Sequence, residues 1–115
     1  MAIIMRTVVD QRDTVDFEVS FEDETNTAVI PTSADWTLTD DEGTIINSRH
    51  AVSIAVPAVT VHITIGGDDT DLLSETDSLI RYLYVRWIYN SSLGAGKEGH
   101  SQVRFKITPI KHLAP

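Results

Sequence analysis

Asp68, Asp69, Asp71, Glu75 and Asp77 crowd five carboxylates into the twelve residues of GGDDTDLLSETD. Clustered hard oxygen donors are the chemistry of calcium sites. This stretch nevertheless lacks the ordered ligand spacing and the closing bidentate glutamate of an EF-hand loop. It reads as a solvated acidic loop with a short helical turn, Asp68 or Asp69 serving as cap. Asp40, Asp41 and Glu42 read first as turn formers and only then as ligands. His50, His62, His100 and His112 show no close pair of the kind a metal site uses, so all four read as surface histidines. Acidic pairs suited to glycoside hydrolysis abound, yet nothing marks one of them as buried with a raised pKa. Serines occur without a nucleophile-elbow motif, and the absence of cysteine excludes thiol catalysis and thiolate zinc sites. SSLGAGKEGH fails the Walker spacing and precedes a strand rather than a helix, so it reads as a flexible loop tip. Asn90-Ser91-Ser92 fits a glycosylation acceptor by composition, with no secretory leader to support its use. The expectation is a noncatalytic protein with no cofactor and no metal.

Composition bounds the remaining classes. A chain of 115 residues has the size of one domain, 1–115, with one core and no room for a second. No apolar run is long enough for a transmembrane helix, and no membrane partner is expected. MAIIMRTVVD is apolar but broken by Arg6, and it lacks a basic leader and a small-residue cleavage site, so it is not expected to act as a signal peptide. Nine basic against seventeen acidic residues give a net charge of −8. The cations Arg81, Arg86, Lys97, Arg104, Lys106 and Lys111 are scattered among apolar residues and form no phosphate-binding stripe. Direct nucleic-acid binding is not expected. The lack of cysteine fits synthesis in a cytoplasm.

The elements that must position any site are strands, because the apolar period is two throughout. In TVDFEVSF, Val15, Phe17, Val19 and Phe21 alternate with polar residues. Trp36 and Leu38 alternate with Thr37 and Thr39, DDEG supplies a turn using Gly43, and TIINS returns as a strand. AVSIAV, AVTVHITI, LIRYLYVRWIYN and SQVRFKIT follow. No segment sustains a helical period. About seven short strands predict an all-β, antiparallel, two-sheet immunoglobulin-like β-sandwich. Trp36 is expected in its core, and Tyr82 or Tyr84 is positioned to make a tyrosine corner. Residues 1–9 and 109–115 read as apolar arms outside this pattern.

One strand departs from the inside–outside rule. In LIRYLYVRWIYN one face carries Leu79, Arg81, Leu83, Val85, Trp87 and Tyr89, and the other carries Ile80, Tyr82, Tyr84, Arg86, Ile88 and Asn90. Both faces are apolar and aromatic, so the second must meet something besides the core. Tyrosine, tryptophan and arginine are the residues enriched at binding hot spots. The expected partner-binding residues are therefore Tyr82, Tyr84, Arg86 and Ile88, with Ile3, Ile4 and Met5 from the first arm and Ile110 and Leu113 from the last. A rival reading uses Trp87, Tyr89 and the 91–100 loop as a glycan-stacking platform.

The segments FEVSFEDETNTAVIPTSADWTLTDDEGTIINS, VTVHITIGGDDTDLL and RYLYVRWIYNSSLGAGKEGHSQVRFKI together resemble small immunoglobulin-like structural proteins of tailed bacteriophages. The resemblance covers most of residues 14 to 107 and brings no catalytic motif. It implies a place in the virion, as a cement or decoration protein on the capsid surface or as a neck or tail component. The implied partners are the major capsid protein or other virion subunits, with a homo-oligomer on the particle. An acidic protein suits the outside of a head better than contact with packaged DNA.

Overall fold

The computed structural model describes residues 2–4, 8–55, 58–72 and 79–109, with the backbone alone for 2–4, 8 and 9. Among them, eight strands form two sheets: β1 (Ala2–Ile4), β2 (Val8–Asp10), β3 (Val15–Ser20), β4 (Ser33–Asp40), β5 (Val52–Ser53), β6 (Thr60–Ile65), β7 (Ile80–Ser91) and β8 (Gly94–Thr108). One sheet has the order β1-β3-β6, the other β2-β8-β7-β4-β5. Every pairing is antiparallel except β2 with β8, which is parallel. The chain is an all-β sandwich, as its alternation predicts.

The alternating apolar residues meet between the sheets. Phe17, Val19 and Phe21 face Leu83, Val85, Trp87, Phe105 and Ile107, all buried. Tilted aromatic pairs join the layers, Phe17 with Phe105 at 5.5 Å and Phe21 with Trp87 at 5.4 Å. Such tilted geometry brings the positive ring edge to the negative face. Trp36 lies in the core, as expected, with the Arg49 guanidinium 5.9 Å from its ring centroid.

Three segments differ from the expectation. The stretch read as a flexible glycine loop is the start of β8, paired residue by residue with β7 from Lys97 onward. Only Ser92 and Leu93 turn the hairpin, and the backbone irregularity sits at Gly94 and Gly96, whose φ angles are 139° and 69°. His100 accordingly lies on a strand, not in a turn. Gly99 is needed for a different reason: a Cβ there would stand 2.3–2.6 Å from the Trp87 indole, which occupies the space above the glycine. TIINS returns antiparallel to β4 only briefly, through the bridge between Thr39 and Ile45 and the Ile46 N–H bond to the Leu38 carbonyl, and does not continue as a strand. Asp40 Oδ1 accepts from the N–H groups of Glu42 and Thr44, closing the turn at Gly43 as predicted. Asn47 and Ser48 then adopt left-handed φ angles of 51° and 58°, which end the extended run after Ile46. The first arm is not outside the sheets: β1 pairs with β3 and β2 with β8, so its described residues belong to both layers.

β7 has twelve residues and β3 and β6 six each, so at about 3.4 Å per residue the β7–β8 hairpin runs well beyond the smaller sheet. The long axis of 53 Å against 21 Å reflects this. The inner face of the overhang is covered by the β3–β4 connection. The Trp87 indole N–H donates to the Glu22 carbonyl at 3.3 Å, and Tyr89 and Ser91 hydroxyls donate to the Glu24 carboxylate at 3.4 and 2.8 Å. Replacing Gly99 by alanine should destabilise the fold by about 1–3 kcal/mol, since the indole is wedged into a packed core and cannot simply swing away. Urea denaturation of Gly99→Ala against the parent checks this.

Candidate interaction surface

Strand parity sorts β7. Arg81, Leu83, Val85, Trp87 and Tyr89 point into the sandwich and are buried, with Trp87 at 3% and Tyr89 at 5% exposure. That removes the glycan-stacking platform, because neither ring offers a face to solvent. Tyr82, Tyr84 and Ile88 lie half-buried on the outer face, and Arg86 is exposed there. Neither tyrosine makes a corner within the core. The Tyr84 hydroxyl instead meets His100 Nδ1 on the adjacent strand, the two rings being 5.6 Å apart.

Register gives the outer face its rows. Thr39, Tyr82 and Arg104 lie abreast on β4, β7 and β8, followed by Thr37, Tyr84 and Gln102, then Asp35, Arg86 and His100. Arg86 donates to Asp35 at 2.9 Å and lies 3.6 Å from Glu98, which is also 3.6 Å from His100 Nε2. Hydrogen bonding and the charge of Asp35, with Glu98 assisting, raise the Arg86 pKa above its ordinary value. The guanidinium is thereby held between Asp35 and Glu98 on the outer face. Next to it a hollow of about 490 Å³ has Tyr82 and Tyr84 as lining, Thr37 and Thr39 on one side, Gln102 on the other, and Asp41 and Ile45 of the β4–β5 connection at its rim. The volume is that of a side-chain or small-ligand site. Thr37 and Thr39 already had outward parity in the sequence, but Gln102, Asp41 and Ile45 could join the site only through pairing and a turn that alternation does not specify.

The other expected contact residues lie elsewhere. Ile3 and Ile4 sit in β1, their backbone opposite Val19 and Glu18. Met5, Ile110 and Leu113 lie outside the described residues. Because β1 and β2 are sheet strands, deleting residues 1–9 would remove ladder pairing and not merely an arm.

The acidic stretch is not a solvated loop in its described part. Asp69, 3% exposed, closes a 3₁₀ turn, Gly67–Asp69, by accepting from the Gly66 N–H at 3.3 Å. It also accepts from Arg49 Nε at 2.8 Å and Asn47 Nδ2 at 2.9 Å. Asp71 accepts from Gln11 at 2.7 Å and Arg12 at 2.8 Å, and Arg12 also reaches Asp68 at 3.1 Å. These carboxylates are ligands to the chain's own cations and amides, and among the described residues no group of three or more His, Asp or Glu side chains could hold a metal ion. The sequence signal for these partners is the two polar clusters Gln11-Arg12 and Asn47-Ser48-Arg49, whose amide and guanidinium donors suit buried acids.

Comparison with protein-family models, curated proteins and solved structures finds no match to this chain.

Burial pushes the Asp69 carboxyl up, but the hydrogen bonds from Arg49, Asn47 and Gly66, with the Arg49 charge, outweigh it and hold the pKa below the usual value. Asp71 is lowered in the same manner by Gln11, Arg12 and the Leu72 N–H. A lowered folded-state pKa contributes stability that is present above the unfolded value, about 3.9, and is lost as pH falls through the folded value. Asp69→Asn should therefore melt lower than the parent at pH 7 and lose less on acidification below about pH 4. Thermal melts from pH 7 to pH 2 measure both effects, with Asp71 sustaining part of the slope in the variant.

Proposed function

We propose that the protein is a noncatalytic structural component of a tailed-bacteriophage virion, a cement or decoration protein that docks on the outer capsid surface through the exposed side of the β2-β8-β7-β4-β5 sheet. The observation that carries this reading is the strip Tyr82, Tyr84, Arg86 and Ile88: aromatic, apolar and guanidinium groups left half-exposed in the middle of a five-stranded sheet. A sheet with one face on its core normally turns polar residues outward. The residue types of this strip are those that concentrate binding energy when desolvated by a partner.

Two further features support it. The order β8-β7-β4-β5, with the chain's first strands divided between the layers, favours the immunoglobulin-like reading on which the resemblance to phage proteins rests. The net charge of −8 favours the outside of a DNA-filled head over its interior. Docking at a junction of shell subunits would stabilise the assembled lattice by mass action, because the ligand binds only the assembled form.

Heads of the phage that encodes the chain, prepared without it, provide the test. The protein should co-sediment with them and raise their melting temperature. The double variant Tyr82→Ala, Tyr84→Ala should bind about 30-fold more weakly, the loss of one hot spot of 2 kcal/mol. Its own melting temperature should change little, since both side chains point away from the core. Heads that neither bind the protein nor gain stability would dismiss the capsid role.

A further inference from the structure

The four edges of the two sheets are unequal. β1 and β2 have three residues each and β5 has two, whereas β6 has six, paired on one side only among the described residues. Exposed edges template the addition of further strands, and proteins blunt them with short strands, proline, lysine or bulges. β1, β2 and β5 are short, and the stretch 94–105 of β8 that β2 leaves unpaired is blunted by Lys97, Arg104 and the register break near Gly94 and Gly96. TVHITI is long and contains no proline, no lysine and no break in its register with β3.

The ladder fixes which backbone groups face outward. The Phe21 N–H donates to the Val59 carbonyl at 2.9 Å, and hydrogen-bonded pairs recur at every second residue of an antiparallel ladder. Val61, Ile63 and Ile65 therefore spend their backbone groups on Val19, Phe17 and Val15, and Thr60, His62 and Thr64 turn theirs to the open side. The side chains of these three are drawn back toward β3. His62 Nδ1 lies 2.6 Å from Asp16 Oδ2, the Thr64 hydroxyl donates to Asp16 Oδ1 at 3.1 Å, and the Thr60 and Ser20 hydroxyls are 3.3 Å apart. Among the described residues the approach to the backbone is left clear.

We propose that β6 is a homodimerisation edge, to which a second copy of this chain adds its own β6 antiparallel about a twofold axis through His62. The open edge is self-complementary. Three outward-bonding residues at a spacing of two, centred on the middle one, put His62 opposite His62 and Thr60 opposite the partner's Thr64, with both members of each pair exchanging hydrogen bonds. Threonine pairs are favourable cross-strand neighbours. On the inner face Val61 meets the partner's Ile63, so the buried apolar row continues from one copy into the next. Thr60 and Thr64 carry no charge, so the two threonine rows flanking the axis meet without repulsion. This inference is independent of the virion reading and of the outer face of β7.

Sedimentation equilibrium across the micromolar to millimolar range tests it on the full chain. The parent should rise with concentration from 12.7 kDa toward twice that mass. Thr60→Lys with Thr64→Lys opposes lysine to lysine twice and should weaken association about tenfold, because like charges directly opposite each other destabilise strand pairing. Thr60→Lys with Thr64→Glu opposes lysine to glutamate twice and should associate at least as tightly as the parent. Both substituted positions lie on the solvent face, and circular-dichroism melts of both variants check that the fold is kept. A parent that stays at the single-chain mass throughout overturns the proposal. So does equal association of the two double variants, which would place any dimer contact away from this edge or out of this register.

Discussion

A carboxylate removed from water must be given charge-assisted hydrogen bonds or give up its proton, and Asp69 is where this chain accepts that constraint. Its demands organise one end of the sandwich. Arg49 has to arrive from the β4–β5 connection and Asn47 with it, so the backbone there abandons extended geometry and takes left-handed angles at Asn47, Ser48 and Ala51. Each such residue without a glycine costs on the order of 1 kcal/mol, offset only if the contact it delivers is worth more. The contact serves twice, because the guanidinium that neutralises Asp69 also lies over the Trp36 ring. Two residues further on, Asp71 gathers Gln11 and Arg12 from the β2–β3 connection, and its carbonyl accepts from Arg81, itself buried on the inner face of β7. One acidic turn thus ties together two other connections and the central strand.

The opposite end is organised by packing. There β7 and β8 outrun the smaller sheet, and Trp87 and Tyr89 would be bare without the Glu22–Glu24 segment laid across them. The same strand therefore spans a polar latch at Arg81 and an aromatic cover at Trp87. Its inner residues are held at both ends, and its outer residues inherit that rigidity. Tyr82, Tyr84 and Arg86 occupy consecutive outward positions on a backbone bonded on both sides, so little conformational entropy is lost when a partner settles on them.

Alternation made much of this legible. Phe17, Val19, Leu38, Ile63, Val85 and Ile107 all lie inside because a period of two with one apolar set leaves no other low-energy register. The split of LIRYLYVRWIYN into two faces followed from parity alone. What alternation could not reveal were choices made by partners distant in sequence. Gly94, Gly96 and Gly99 signal a loop when read locally, yet all three lie in β8 along β7, and at Gly99 the absent side chain leaves the room that Trp87 fills. GGDDTD reads as a surface loop because acids prefer water, and Asp69 is buried because Arg49 and Asn47, twenty and twenty-two residues earlier, come to it. Polar residues in the interior are specified by pairs, and a pair carries no period.

Charge is distributed in a way that bears on the proposed docking. Arg12, Arg49 and Arg86 are held by carboxylates of the chain itself, and these pairs contribute little to the external field. On the outer face the remaining charges are segregated across the strands. Asp40 and Asp41 stand at the turn beside β4, whereas Arg104 and Lys106 line β8 opposite Tyr82 and Ile80. An aromatic strip between an acidic border and a basic one has a direction. A partner segment laid on Tyr82 and Tyr84 meets attraction in one orientation and repulsion in the reverse, since like charges brought together across an interface cost several kcal/mol. Tyrosine supplies affinity without sense; the flanking charges supply the sense. Under the proposed docking, such a surface would favour one orientation of the partner, which is what a protein repeated over a lattice would need in order to add the same contact at every site.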